Sequence, residues 1–192
     1  MHHAHTPAEL CRQAFVLWQS EVVTDDRSLA CWVADYETSN GVTISAQSPS
    51  RRANTWVVKL HRYEDFWRVE GRSPRENTRS LSTLPIPERR LGQWGRYQRR
   101  VEENLSRYQE IRLDVSPAFR WDPHEEAWQA RIDACIQHRE ATGRLPYLNS
   151  TDPVEFAHAR WLARQLRQLQ RGTQPPTRAV RLTAFLTERP TL

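Results

Sequence analysis

The chain has 192 residues and a formal net charge of +5, long enough to bury a core or to divide into two or three small domains. Mean hydropathy is low, no apolar run approaches the ~18 residues of a membrane span, and the opening MHHAHTPAEL lacks the apolar centre of a signal peptide; a membrane role is excluded and a cytoplasmic location expected. Cys11, Cys31 and Cys135 are odd in number and far apart with no C-x-x-C, which argues against a disulfide framework or zinc finger and for reduced, buried thiols.

Thr6-Pro7-Ala8-Glu9 is a capping box with proline at the first helical position. It predicts a helix to about Val22, with Cys11, Phe15, Trp18 and Val22 on its apolar side. Asp25 or Asp26 can cap a second helix through Tyr36, whose inward face reads as Leu29, Trp32, Val33 and Tyr36. Ser39 to Arg52 is polar and turn-rich, a loop with room for a short extended piece at Val42 to Ile44. Trp56, Leu60, Tyr63 and Trp67 then recur at helical spacing, so residues 54 to 70 form an amphipathic helix that Gly71 can end in a left-handed cap.

The following RSPRENTRSLSTLPIP holds three prolines and three arginines without a helix signal, and a loop of that length is usually functional or mobile. From about Pro87 a helix runs through LGQWGRYQRR, with Leu91, Trp94, Val101 and Leu105 at apolar spacing. Ser106 with Gln109 is a second capping box, for a short helix to Leu113, and Ser116-Pro117 breaks the chain before Phe119 and Trp121. Asp122-Pro123-His124-Glu125 starts a helix that bears Trp128, Ile132, Cys135 and Ile136 and stops at Gly143. The next helix, capped by Thr151 or Asp152, sets Phe156, Ala159, Ala163 and Leu166 on one side, and a last short helix runs from Arg178 to about Thr187.

An internal repeat emerges from this order. Trp56 to Gly71 spans 15 residues, as does Trp128 to Gly143; each glycine is followed at once by arginine and three residues on by proline, Pro74 or Pro146. Trp94 and Gln98 are four apart, as are Trp161 and Gln165. Trp56, Gly71, Leu91-Gly92-Gln93-Trp94 with Gln98-Arg99 behind it, and Phe119-Arg120-Trp121 together resemble the helicase-associated domain, a small three-helix module often found in tandem. The resemblance covers roughly Trp56 to Trp121. A looser copy follows, with His158-Ala159 in place of Leu-Gly, Leu166 in place of the first arginine after Gln, and no aromatic-x-Trp close. The expected fold is all-α: a helical N-terminal segment over residues 1–52, for which a degenerate third copy is one reading, then three-helix modules over 53–121 and 122–192.

Charge is unevenly spread. Residues 1–50 carry 2 basic residues against 6 acids, residues 51–121 carry 16 against 9, and residues 122–192 carry 10 against 8. All basic residues but Lys59 are arginine, which a GC-rich coding sequence would also produce, yet the guanidinium fork suits phosphate and base edges. Arg89, Arg96 and Arg100 recur at helical spacing beside Arg99, and Arg160, Arg164, Arg167 and Arg171 form a cleaner row. Such rows repel themselves, and phosphates would relieve the repulsion; the alternative is a solvated face neutralised by Glu155 and its neighbours. Arg72, Arg75 and Arg79 in the long loop have no evident packing role and read as an arm along a phosphate backbone or as plain surface. The eight tryptophans fall mostly at core spacing, so packing is expected of them in preference to base stacking.

Catalytic and metal signals are thin. There is no P-loop, G-x-G-x-x-G, G-x-S-x-G or H-E-x-x-H. Met1-His2-His3 has the form of an amino-terminal copper site, and Cys135-x-x-His138 and Glu155-x-x-His158 are each half of a ligand set. No enzyme activity, cofactor or metal is expected, and with no helicase motor the resemblance implies only the accessory module. Its implied partner is nucleic acid, DNA in preference to RNA; the competing expectation is a helical interaction module that docks an acidic protein.

Overall fold

The computed structural model describes residues 5–21, 25–42, 50–76, 83–149 and 151–187, and among these the chain is all-α, with eight α-helices and no strand. The helices are α1 (Pro7–Gln19), α2 (Asp26–Asn40), α3 (Arg51–Glu70), α4 (Ile86–Arg100), α5 (Arg107–Asp114), α6 (Pro123–Thr142), α7 (Pro153–Gln170) and α8 (Pro176–Thr187). They fall into two compact units, residues 1–121 and 122–192. The extended piece at Val42 to Ile44, Met1-His2-His3 and Arg79 lie outside the described residues, wholly or for the most part.

Local chemistry sets the helix ends. Thr6 and Glu9 close their capping box, with Thr6 N donating to Glu9 Oε2 over 2.7 Å, and Ser106 N donates likewise to Gln109 Oε1 over 2.9 Å. Asp25, Asp122 and Asp152 cap α2, α6 and α7. Gly71 and Gly143 end α3 and α6 at φ 65° and 73°, in the left-handed region where a side chain is strained.

In the first unit α1, α2, α3 and α5 pack together, and α4 lies against α3. Trp18, Trp56, Leu60, Tyr63, Trp94, Tyr108, Ile111 and Phe119 are buried there. Through this core runs a polar network centred on Arg112 of α5, which has no exposed surface. Its Nε donates to Asp35 Oδ2 over 2.7 Å, and its two terminal nitrogens bond both Glu64 oxygens over 2.7 and 3.0 Å. Tyr108 OH donates to Asp35 Oδ2 over 2.9 Å, Ser116 Oγ to Glu64 Oε1 over 2.7 Å, and His61 Nε2 lies 2.6 Å from Asp35 Oδ1. Burial alone would raise the Asp35 carboxyl, but the Arg112 charge and the His61 contact prevail and hold it down at about 2.

This network corrects the expected inward face of α2. Ser28, Cys31, Ala34 and Asp35 are buried, whereas Leu29 is 48% exposed and Tyr36 also meets solvent. The helix is turned by one residue, about 100°, from its apolar reading, because Asp35 and Ser28 find full sets of partners inside: Ser28 Oγ accepts from Tyr108 N over 3.0 Å. Two smaller corrections follow the same logic. Val101 and Leu105 are not on α4, which ends at Arg100 and passes into a 3₁₀ turn over Glu102–Asn104. Ala163 is exposed, and α7 buries Glu155, Ala159, Trp161, Leu162 and Gln165 instead.

The second unit has a smaller core of Trp128, Ile132, Cys135, Trp161, Leu162, Leu182 and Phe185. Cys11, Cys31 and Cys135 are buried free thiols.

Candidate functional site

The same set of contacts occurs in both units. Trp56 Nε1 donates to Gln98 Oε1 over 2.9 Å, and Trp128 Nε1 donates to Gln165 Oε1 over 2.9 Å. Trp94 packs on Trp56 with ring centroids 6.4 Å apart and planes at 56°; Trp161 packs on Trp128 at 5.9 Å and 57°. An indole N–H can only donate, so burying it requires an acceptor, and the Gln one helical turn beyond the second Trp supplies it.

A second recurring contact explains the Gly-Arg-x-Pro run. Arg72, next to Gly71, donates to Glu88 Oε1 over 2.6 Å, and Arg75 donates to the same oxygen from its backbone N (3.0 Å) and Nε (3.1 Å). In the second unit Arg144, next to Gly143, pairs with Glu155, which also accepts from Tyr147 N over 3.3 Å and Asn149 Nδ2 over 3.1 Å, with His138 Nε2 at 3.2 Å. Glu88 and Glu155 stand in the first turns of α4 and α7, and Pro74 and Pro146 are both buried. The Arg72 and Arg144 bonds hold the Glu88 and Glu155 carboxyls down at about 2, against burial. The loop therefore has a packing role after all: a buried carboxylate latches it to the next helix.

Above the Trp–Trp–Gln floor of the first unit lies a cleft of about 790 Å³. Its basic lining is Arg27, Arg51, Arg52 and Lys59; Tyr97, Val101 and Leu105 form an apolar wall, and no carboxylate lines it. Arg51 and Arg52 open α3, capped by Ser50, and neither they nor Lys59 has an ion pair among the described residues. In the second unit a cleft of about 380 Å³ lies over Trp128, Trp161 and Gln165, lined by His124, Arg131, Arg164 and Arg178, again without a carboxylate. The positions correspond: Arg52 and Lys59 stand four before and three after Trp56, His124 and Arg131 four before and three after Trp128, and Tyr97 and Arg164 each three after the second Trp. Two members are partly satisfied: Arg27 Nη2 donates to the Asn104 carbonyl oxygen over 2.7 Å, and Arg178 Nε donates to Glu125 over 2.7 Å with its guanidinium 5.4 Å from the Trp128 ring centre.

The arginines expected to bind phosphate are differently placed. Arg72 and Arg75 are engaged with Glu88. Arg96 donates to the Glu76 carbonyl, and Arg99 pairs with Glu76, donates to the Arg120 carbonyl over 2.7 Å and lies over Phe119. Arg89 is half-buried. Arg100 is exposed over the Tyr97 ring at 5.4 Å, and Arg160, Arg164, Arg167 and Arg171 are exposed with no ion pair among the described residues. Glu155 does not neutralise that row, because its carboxylate is turned inward to Arg144 and His138. Of the row only Arg164 lines the cleft.

Arg27, Arg51, Arg52, Lys59, Tyr97, Arg131 and Arg178 were not singled out from the sequence. Aligning the two Trp-to-Gly segments on their tryptophans and reading the positions four before and three after would have found Arg52, Lys59 and Arg131, and reading three after Trp94 would have found Tyr97; Arg27 comes from a different helix and gave no local signal. Of the two half ligand sets, His138 meets Glu155, but among the described residues no three metal-ligating side chains converge. Comparison of the chain with known protein families, with characterised proteins and with solved structures finds no match.

Proposed function

We propose that this chain is a non-catalytic nucleic-acid-binding protein, contacting DNA in preference to RNA, with the cleft of each unit and the exposed arginine row of α7 as separate contact sites. The observation that carries the reading is the recurrence of a basic, carboxylate-free cleft on the same floor in both units. Clustered guanidinium groups without acidic partners repel one another, and a polyanion relieves that cost while releasing its own counterions. The resemblance of residues 56–121 to the helicase-associated domain points the same way. The test is titration of a labelled duplex, and of an RNA of the same sequence, over a range of salt: affinity that falls linearly on a log–log plot supports the reading, and no binding at low salt refutes it.

The acidic-protein reading has one observation in its favour. A groove of about 920 Å³ between α3 and α4 is lined by the apolar Phe66, Val69, Ile86 and Leu91 and by Lys59, Arg62 and Arg90, with one carboxylate, Asp65, which is paired with Arg68. Apolar anchors among basic side chains suit an acidic amphipathic helix. Competition separates the two: a non-specific polyanion displaces nucleic acid but not a peptide held by apolar anchors.

A further inference from the structure

Resting on the nucleic-acid reading, we propose that the first-unit cleft is a seat for one unpaired nucleotide, base included, with Tyr97 as the stacking ring, whereas the second-unit cleft holds backbone phosphate alone.

The two clefts share a floor but differ at one position that matters. Three residues after the second Trp, the first unit has Tyr97, 50% exposed, and the second has Arg164. The Tyr97 ring is half-exposed beside basic side chains and stands outside the first-unit core, to which Trp94 of the same helix, 7% exposed, belongs. Arg100 lies over the Tyr97 ring at 5.4 Å, a cation–π contact that steadies the ring and adds charge beside it. Val101 and Leu105 extend the apolar wall, so the cleft offers a base an apolar surface and its phosphate the Arg51, Arg52 and Lys59 cations. At about 790 Å³ it has room for a nucleotide, whereas the second-unit cleft has about half that volume and, in place of a half-exposed phenol ring, the smaller imidazole of His124.

Gln98 adds a polar handle. Because Trp56 Nε1 can only donate, the bond between them fixes the Gln98 amide with its oxygen toward Trp56. Its nitrogen then has one long contact, 3.5 Å to the Trp94 carbonyl, and retains a donor for an acceptor on a base edge. In the second unit the matching Gln165 oxygen receives Gln174 Nε2 over 3.0 Å in addition to the Trp128 indole.

A base buried in a duplex cannot reach such a ring, so the seat selects single strands, displaced strands or free nucleotides. The experiment compares a labelled oligothymidylate with an abasic oligomer of equal length, by fluorescence anisotropy on the full chain, for wild type, Tyr97→Ala and Tyr97→Phe. The expected result is about tenfold tighter binding of the base-bearing strand by wild type and Tyr97→Phe, and loss of that advantage in Tyr97→Ala. Thymidine monophosphate that competes in wild type but not in Tyr97→Ala would equally support the seat and mark free nucleotide as a ligand. Circular dichroism checks that the half-exposed Tyr97 is dispensable for folding; if Tyr97→Ala unfolds, Tyr97→Arg, which copies the second unit, takes its place. Equal affinity for both oligomers, or a base advantage that survives loss of the ring, overturns the seat while leaving backbone binding intact. Failure of every strand to bind at low salt overturns both.

Discussion

Trp128 and Gln165 are joined by one buried hydrogen bond of 2.9 Å across 37 positions of sequence, and that bond ties the first helix of the second unit to the next. The two residues that Trp128 contacts, Gln165 through this bond and Trp161 through its ring, differ in what their removal costs. Gln165→Ala leaves the buried indole N–H without its acceptor and is expected to destabilise by about 1–3 kcal/mol. Trp161→Ala, which removes a ring only 6% exposed and opens a cavity, is expected to cost about 3–5 kcal/mol. Urea denaturation of both variants checks the order; a Trp161 variant as stable as wild type would show that the ring is not a core element.

Arg112 is expected to be the most sensitive polar residue of the first unit. Arg112→Met leaves Asp35 and Glu64 buried without their cation, and losses of about 3–5 kcal/mol are usual for such a change. The pH dependence has a definite sign. The Asp35 carboxyl is lowered from 3.8 to about 2, so its contribution is fully present above about pH 4 and is lost as pH falls through about 2. Stability measured between pH 5 and about 2 should fall steeply in wild type and less steeply in Arg112→Met, and identical slopes would assign the acid sensitivity to other carboxylates.

Gly92 is expected to tolerate no side chain without a shift of the loop. A Cβ there would lie 2.4 Å from the Arg75 carbonyl oxygen, a backbone atom that cannot simply rotate away. Gly92→Ala should cost on the order of 1–3 kcal/mol and disturb the Arg75–Glu88 contacts. Thermal melts read the cost, and an unchanged melting temperature would mean that the loop moves freely. The second unit has Ala159 at the matching position, where the loop is five residues shorter between the arginine and the carboxylate it binds (Arg72 to Glu88 is 16 positions, Arg144 to Glu155 is 11).

The arginines should separate into two classes by salt. Arg164→Gln with Arg167→Gln removes two exposed charges, so the slope of log affinity against log salt on duplex DNA should flatten by up to about 2 with stability changed by under about 0.5 kcal/mol. Arg72→Gln breaks the latch to Glu88 and should lower stability with the slope unchanged. A latch variant that flattens the slope as the row variant does would return Arg72 to the contact surface.

Sequence by itself determined what depends on neighbours along the chain. The capping boxes at Thr6 and Ser106, the left-handed stops at Gly71 and Gly143 and the apolar spacing of Trp56, Leu60 and Tyr63 are local, so all-α structure and the helix ends that these signals mark were legible before any packing was known, whereas the C-terminal ends of α1, α2 and α4 were not. The equal Trp-to-Gly intervals likewise pointed at contacts that recur. Tertiary structure alone decided which polar groups face inward, because a buried charge is tolerated only where distant residues satisfy it. Asp35 depends on Arg112, 77 positions away, and that pairing turned α2 from its apolar reading. The same reason withdrew Arg72 and Arg75 to Glu88 and Arg99 to Glu76, and left cations from α2 and the start of α3 around one cleft. Periodicity could find rows of arginine; only the fold could say which were already neutralised and which still faced solvent without a partner.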